Sequence, residues 1–144
     1  MSFDIHLERV VDATPEDAFA AWVDPAARLE WYAPQEGWIV EATTDLRVGG
    51  EWVTRFGATR DAMYTEAGVF TEVEPPHRVA YTNTFTFPDG RSFSTRNVVT
   101  FEAVGDKTRL ILEDLGYPDE RQRAAHEQGW PAFLDAFERC LARA

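Results

Sequence analysis

The chain has little cysteine and no long apolar segment. Cys140 is the one cysteine in 144 residues, so neither an intramolecular disulfide nor a cysteine-based zinc site can form. No apolar run approaches the ~20 residues that a membrane span requires. The first residues, 1–11, alternate in polarity and lack the basic and apolar regions of a signal peptide. These absences predict a cytoplasmic location.

Basic residues are also scarce. The chain has 14 Lys and Arg against 25 Asp and Glu, and its formal net charge is -11. A surface with this charge repels phosphate backbones and anionic lipid headgroups. The composition therefore predicts that neither nucleic acid nor a membrane is a partner.

Familiar catalytic and cofactor patterns are missing as well. His126-Glu127 is followed by Trp130 where a metalloprotease helix has its second histidine. His6 and His77 stand alone in the sequence and are expected to face solvent. No serine lies in a nucleophile elbow, and no glycine-rich loop opens a helix. The sequence thus predicts no catalytic residues, no cofactor and no metal.

Aromatic residues, by contrast, are abundant, with five Trp, four Tyr and ten Phe. Such a share indicates either an unusually bulky core or a cavity lined by rings. The length is that of one domain, and no linker or repeat divides residues 1–144. A single domain is therefore expected.

Periodicity predicts one strand, two short helices, six strands and a long helix. Phe3, Ile5 and Leu7 alternate with polar residues as in a half-buried strand. Thr14-Pro15 has the cap and first-turn chemistry of a helix start, and a second short helix is expected over 26–31. Six further segments alternate with period two and are joined by short turns, which favours an antiparallel meander. These segments are 38–44, 51–56, 64–73, 78–87, 91–104 and 108–115.

The last segment, 119–143, has one apolar stripe of the kind found on amphipathic helices. The stripe consists of Trp130, Phe133, Leu134, Phe137 and Leu141. A curved seven-stranded antiparallel sheet can bury its concave face by wrapping around this helix. The predicted fold class is therefore α+β, with a gap between sheet and helix as a natural ligand cavity.

Six motifs in this order resemble a known family. They are Arg9 with Asp12-Ala13-Thr14-Pro15; Ala21-Trp22-Val23-Asp24-Pro25 with Leu29, Trp31 and Pro34; Asp45-x-Arg47-x-Gly49-Gly50; Gly68-x-Phe70-x-Glu72-Val73-x-Pro75-Pro76-x-Arg78; Thr108-Arg109-Leu110; and Gly129-Trp130. Together they resemble the START-like (SRPBCC) helix-grip superfamily, in the branch named for homologues of the ATPase activator of heat-shock protein 90. The likeness covers residues 3–141. Tyr32 and Asn83 depart from it, because the family often has apolar or aromatic residues there.

The resemblance implies a helix-grip fold without specifying a function, because this superfold includes lipid carriers, hormone receptors, cyclases and hydrolases. Physically, its motifs are mainly structural: Gly49-Gly50 permits a tight turn, and Trp22 and Trp31 are expected in the core.

Period two places several residues on the inner face of the predicted sheet. Leu110 and Leu112 face inward on the last strand. The predicted cavity lining is apolar with a few polar anchors: Tyr81, Asn83, Phe85, Phe93, Thr95, Asn97, Trp130 and Phe133. The alternative is that the two amides satisfy each other or a buried water.

Glu66 shares a strand face with Gly68 and Phe70. If this face points inward, Glu66 is a buried carboxyl with a raised pKa and a candidate general base. If the face of Ala67 and Val69 points inward, Glu66 is a solvated charge at the rim. The second arrangement is the favoured expectation.

Three functions follow from these features. The first is a binding protein that holds a small hydrophobic or amphipathic molecule in its cavity, without catalysis. The second is an enzyme acting on an aromatic or polyketide-like substrate, with Glu66 or Asn97 as polar groups. The third, which only the resemblance to the family implies, is a co-chaperone-like regulator of heat-shock protein 90. Aromatic residues such as Trp31 and Tyr32 suggest either a cavity lid or a homodimer face.

Overall fold

A computed structural model describes residues 3–33 and 36–143. Pro34, which belongs to one of the motifs above, lies outside them. The described residues form seven strands and three helices. In chain order these are β1 Phe3–Val11, α1 Pro15–Val23, α2 Pro25–Trp31, β2 Ile39–Thr44, β3 Glu51–Gly57, β4 Tyr64–Glu74, β5 Arg78–Thr86, β6 Ser92–Val104, β7 Lys107–Tyr117 and α3 Glu120–Arg143.

The strands form one sheet in the order β1-β7-β6-β5-β4-β3-β2. Every neighbouring pair is antiparallel. From β2 to β7 the chain is thus a meander, and β1 adds to the free edge of β7. The predicted α+β class, the seven-stranded sheet and the order of elements are confirmed.

The helix pair begins and turns through its caps. The Thr14 hydroxyl accepts a hydrogen bond from the Asp17 backbone N–H at 3.2 Å, and Pro15 occupies the first turn of α1. Asp24 ends α1 and caps α2, where its carboxylate accepts from the Ala26 N–H at 2.9 Å. These bonds satisfy donors that a helix end leaves free. One shared residue therefore sets the corner between the two helices.

The core is built around Trp22 of α1, which is fully buried. Its ring centroid lies 4.8 Å from that of Trp31, 5.1 Å from that of Phe137 and 6.4 Å from that of Phe101. These rings come from α1, α2, α3 and β6. Aromatic contacts thus join all three helices to the sheet.

Helix α3 has two unlike parts, separated by Pro131. Proline has no backbone N–H, so the carbonyl of Glu127 loses its usual helical partner at this point. After Pro131, the side chains of Leu134, Phe137 and Cys140 are buried. Before it, no side chain of the helix is buried to that degree. The C-terminal part anchors the helix, and the N-terminal part leaves space beneath it.

Gly68 of β4 allows an unusually close approach between strands. A Cβ at this position would collide with the carbonyl oxygen of Thr82 on β5. That carbonyl accepts a hydrogen bond from the Trp52 indole at 3.2 Å, and the Thr82 hydroxyl accepts from the Val69 N–H at 3.0 Å. The missing side chain therefore makes room for bonds that join β3, β4 and β5.

We predict that Gly68→Ala destabilises the protein by about 1–3 kcal/mol, because the added methyl group overpacks a site bounded by backbone. Gly129→Ala is the matched control, since a Cβ there meets nothing within 4 Å. In a helix this control should gain roughly 0.5–1 kcal/mol. Urea unfolding measures both. Equal stability of Gly68→Ala and the wild type would contradict the prediction.

Candidate ligand cavity

A cavity of about 240 Å³ lies between the concave face of the sheet and the N-terminal part of α3. Nine of its described lining residues are aromatic: Tyr32, Trp38, Phe56, Tyr64, Phe85, Phe93, Tyr117, Trp130 and Phe133. The others are Glu66, Asn83, Thr95, Asp114, Ala125, His126 and Gly129. Ala125 and Gly129 are exposed on α3, so the cavity reaches the surface beside this helix.

Most of the predicted lining residues lie at this cavity, but two do not. Those at the cavity are Asn83, Phe85, Phe93, Thr95, Trp130 and Phe133. Tyr81 is buried in the core instead, where its hydroxyl accepts a hydrogen bond from the Trp22 indole at 3.0 Å. Asn97 is 1% exposed and lies outside the lining. A role in ligand binding stays a prediction for the six.

Glu66 points inward, so the favoured expectation of a solvated rim charge was wrong. Its side chain is buried and lines the cavity. The same strand face carries Tyr64 and Phe70, while Ala67 and Val69 lie on the other face. Burial of the two large rings removes more apolar surface from water than burial of Ala67 and Val69 would. Glu66 is therefore drawn inward by its aromatic neighbours.

Hydrogen bonds hold the Glu66 carboxyl group in place. Its Oε1 accepts from the Asn83 amide at 2.6 Å and from the Tyr32 hydroxyl at 3.4 Å. Burial raises the pKa of Glu66 to about 7, although the Asn83 bond and the positive charge of Arg28 act in the opposite direction. Near neutral pH this carboxyl group therefore gains and loses its proton readily.

Arg28 is a buried cation behind the cavity wall. Its Nε donates to the Trp22 carbonyl at 2.9 Å and its Nη1 to the Thr54 hydroxyl at 3.3 Å. The guanidinium carbon lies 4.9 Å from the ring centroid of Tyr32 and 5.2 Å from that of Trp52. Such cation–π contacts stabilise a desolvated guanidinium. Arg28 itself does not line the cavity.

Asp114 of β7 provides a second buried carboxyl group. Its Oδ2 accepts hydrogen bonds from the Tyr117 hydroxyl and, at 3.2 Å, from the Trp130 indole. Burial raises the pKa of Asp114, and the bonds from Tyr117 and Trp130 counteract part of this effect. Both donors stabilise the ionised form.

His126 of α3 is held among rings. Its ring centroid lies 4.7 Å from that of Phe85, 5.2 Å from that of Phe93 and 5.4 Å from that of Tyr117. Burial lowers the pKa of His126, which favours the neutral imidazole at pH 7. His126 therefore adds a polar edge to the cavity without a positive charge.

Several buried polar atoms near the cavity have no hydrogen-bond partner. Among the described residues these are Oδ1 of Asn83, Oδ1 of Asn97 and Nδ1 of His126. The Asp114 carboxyl group interacts with Thr95 and Asn97 in addition to its two donors. The amide orientation of Asn83 follows from its bond to Glu66, since only the nitrogen can donate to a carboxylate. Buried acceptors without a partner are rare in native proteins. Those of Asn83 and His126 belong to residues that line the cavity.

Sequence reasoning missed Asp114 and His126, although both had a signal. Asp114 continues the alternation of the inward Leu110 and Leu112. His126 lies one turn before Trp130 on the same side of α3, so extending the apolar stripe backwards reaches it. Other missed lining residues continue the inner faces of β3 and β4, as Phe56 and Tyr64 do. Trp38 lies just before β2, where no period applies. Tyr32, which the sequence suggested for a cavity lid or a homodimer face, is buried and lines the cavity.

Other sequence expectations concerned residues away from the cavity. His6 and His77 are exposed, as expected. Within residues 3–33 and 36–143, no helix is long and apolar enough to cross a membrane. In the same part of the chain, no cluster of His, Cys, Asp or Glu is arranged to hold a metal ion.

An antiparallel sheet that curves around a C-terminal helix, with a ring-lined cavity between them, defines a helix-grip protein of the START-like type. Residues 12–142 match the family described as "Activator of Hsp90 ATPase homolog 1-like protein". The chain belongs to this family, so the resemblance is confirmed. No curated protein is significantly similar to the chain.

Solved structures of related proteins share the fold. The AHSA1 protein from Silicibacter pomeroyi is 32% identical over 96% of this chain and 97% of its own, with a TM-score of 0.80. A protein from Chromobacterium violaceum is 27% identical over 94% and 95%, with a TM-score of 0.82. The AHSA1-like protein from Aeromonas hydrophila is 26% identical over 97% and 92%, with a TM-score of 0.77.

The raised pKa of Glu66 predicts a loss of stability at high pH. The folded protein holds this proton up to about pH 7, whereas an ordinary Glu releases it near 4.5. Below about pH 4.5, Glu66 therefore does not lower the free energy of unfolding. As the pH rises from there to about 7, ionisation of Glu66 progressively lowers that free energy. Glu66→Gln cannot ionise and should not show this loss. The free energy of unfolding of the variant minus that of the wild type should therefore increase by roughly 2–3 kcal/mol from about pH 5 to about pH 8.

Urea unfolding at both pH values measures this difference. Glu113→Gln is the matched control, because Glu113 lies on the opposite face of β7 from Asp114 and outside the cavity. The difference in unfolding free energy between Glu113→Gln and the wild type should not increase from the lower to the higher pH. A pH-independent difference for Glu66→Gln would show that Glu66 ionises normally.

Proposed function

We propose that the chain is a binding protein that holds one small, ring-containing hydrophobic or amphipathic molecule in this cavity. The observation that carries the proposal is the cavity itself, which nine aromatic side chains line together with two buried carboxyl groups. Apolar walls with a few convergent polar groups are typical of small-molecule sites.

The cavity volume limits the size of the ligand. The cavity has a volume of about 240 Å³. This lies below the ~300 Å³ at which pockets for drug-sized ligands begin. A bicyclic aromatic compound with a short polar substituent fits this limit, whereas a long lipid chain does not.

The family name supports a second candidate, which is regulation of heat-shock protein 90. That role needs an exposed docking face. Among the described residues, the exposed large apolar side chains are Val10 on β1, Leu29 on α2, Val104 on β6, and Leu46 and Val48 in the turn after β2. Their spread over four parts of the chain favours the cavity as the site of function.

Glu66 supports a third candidate. A carboxyl group with a pKa of about 7, beside a cavity, is suited to general acid–base catalysis on a bound aromatic substrate. Such a reaction would still require the binding proposed here, so binding is tested first.

Native mass spectrometry of the purified protein, repeated after denaturation, tests for a co-purifying ligand. A small molecule that is retained in the native protein and lost on denaturation would support the proposal. Its mass should correspond to a compound no larger than the cavity permits.

Titration calorimetry with 2-naphthylmethanol, a neutral bicyclic probe, tests the cavity directly. We expect one molecule to bind per chain. Thr95→Phe places a ring in the cavity and should weaken binding at least about tenfold, which corresponds to about 1.4 kcal/mol. Ser94→Phe is the control, because Ser94 is exposed on the opposite face of β6. Absence of binding to the wild type, or equal loss in both variants, would refute the proposal.

A further inference from the structure

The cavity wall contains two buried carboxyl groups and one buried amide oxygen, all of which can accept hydrogen bonds. Glu66 already receives hydrogen bonds from Asn83 and Tyr32, and Asp114 from Tyr117 and Trp130. After these bonds, Oδ1 of Asn83 remains buried without a donor, while the Asp114 carboxyl group interacts further with Thr95 and Asn97. The side chains of Asn83 and Asp114 are 8% and 3% exposed, and both line the cavity. A ligand group that contacts the Asn83 oxygen must itself donate a hydrogen bond.

The formal charges at the cavity also favour a ligand that donates hydrogen bonds, and they favour a cation. Glu66 and Asp114 contribute two negative charges at the cavity wall when they are ionised. The buried Arg28 contributes one positive charge behind that wall. His126 is favoured in its neutral form by burial. The ionised cavity therefore has a negative charge that a monocation would balance, and a buried charge without a partner is costly.

The rings of the wall suit the same ligand. Tyr64, Phe85 and Phe56 form a cluster in which the centroids of neighbouring rings are 5.7 and 6.5 Å apart. Trp130 and Phe133 face them from α3. Aromatic faces attract cations, and they attract them more strongly in a desolvated site. The apolar part of an amphipathic cation would pack against the same rings.

We propose that the ligand of this cavity is an aromatic amine in its ammonium form, with the charged nitrogen at Glu66, Asn83 and Asp114 and the ring system among the aromatic side chains. This inference rests on the proposed binding function and specifies its ligand class. Ammonium N–H groups can donate to Oδ1 of Asn83 and to the carboxylate oxygens, and the positive charge balances the carboxylates. A carboxylate or phosphate ligand would add negative charge to a site that already has an excess.

The proposal predicts how binding depends on pH. The titratable groups at the cavity are Glu66, Asp114, His126, Tyr32, Tyr64 and Tyr117, with Arg28 behind the wall. Glu66 is the group whose proton is in exchange near pH 7. An ammonium beside it favours the carboxylate, so binding should release protons between about pH 6 and pH 7. A neutral ligand should release none.

Three compounds with the same ring system test the charge preference by titration calorimetry: 2-naphthylmethylamine, 2-naphthylmethanol and 2-naphthoate. At about pH 8 we expect the amine to bind at least about tenfold more tightly than the alcohol, and the carboxylate not to bind measurably. At about pH 5.5 the ratio of amine to alcohol affinity should approach unity, because Glu66 is then protonated. Heats measured in buffers of different ionisation enthalpy give the number of protons released.

Glu66→Gln keeps an oxygen that can accept from Asn83 and Tyr32 but removes the charge. We expect this variant to lose most of the amine preference at about pH 8 and all of the proton release. Asp114→Asn should also reduce the preference, and it provides a second variant if the first does not fold. Glu113→Gln removes a charge outside the cavity and should retain both effects.

The outcomes separate the two proposals. Binding of the alcohol with no preference for the amine, or with a preference for the carboxylate, would overturn the ammonium inference and leave the binding function standing. Failure of all three compounds to bind would overturn both. A preference for the amine that survives in Glu66→Gln and Asp114→Asn would also overturn the inference, because the carboxyl groups would then not be its source.

Discussion

The burial of Arg28 is the constraint on which the rest of the structure depends. A guanidinium with 4% of its residue surface exposed requires both hydrogen-bond acceptors and nearby negative charge. The Trp22 carbonyl and the Thr54 hydroxyl provide the acceptors. The rings of Trp31, Tyr32 and Trp52 surround the cation. One side chain thus joins both short helices to β3, and its charge makes a buried carboxylate at Glu66 tolerable.

Polar and apolar interactions are divided between two regions of the same interior. Around Trp22, rings from every helix pack closely, and the indole N–H has its partner in Tyr81. Around Glu66 and Asp114, by contrast, rings surround a space and oxygen atoms lack donors. The first region stabilises the fold by removing apolar surface from water. The second places polar groups in an apolar surrounding at a cost in stability, and local costs of this kind occur mainly at functional sites.

The sequence predicted the architecture closely because period two and period 3.6 are local signals. The alternation from Val79 to Phe85 and from Phe93 to Phe101 identified inner faces correctly, since the aromatic residues occur on one face only. On β4 the pattern was ambiguous, because Gly68 interrupts one face while Ala67 and Val69 make the other moderately apolar. Tyr64 and Phe70 bring Glu66 inward because they pack against rings on β3 and β5, and no local window includes those partners.

The same limit explains which cavity residues were found. The two-residue periodicity of a strand shows on which face of the sheet a residue lies, but it does not show how far the helix lies from the sheet at that residue. Tyr81 and Asn97 lie on the correct face, yet they are covered by the core, and the empty space begins one pair further along the strands at Asn83 and Thr95. The charge on the cavity wall depends on Asp114 and Arg28, which lie far from Glu66 in sequence and meet it only after folding.

Pro131 separates two parts of α3 that have different structural roles. Beyond it, Leu134 and Phe137 belong to the closely packed core, where a change of one methylene group is felt throughout the packing. Before it, His126 contacts the rings of Phe85 and Phe93, and Gly129 has open space around its Cβ position. Substitutions at the exposed positions of this first half can reshape the cavity while the anchor keeps the molecule folded. A helix divided in this way separates the requirement for stability from the shape of the interior space.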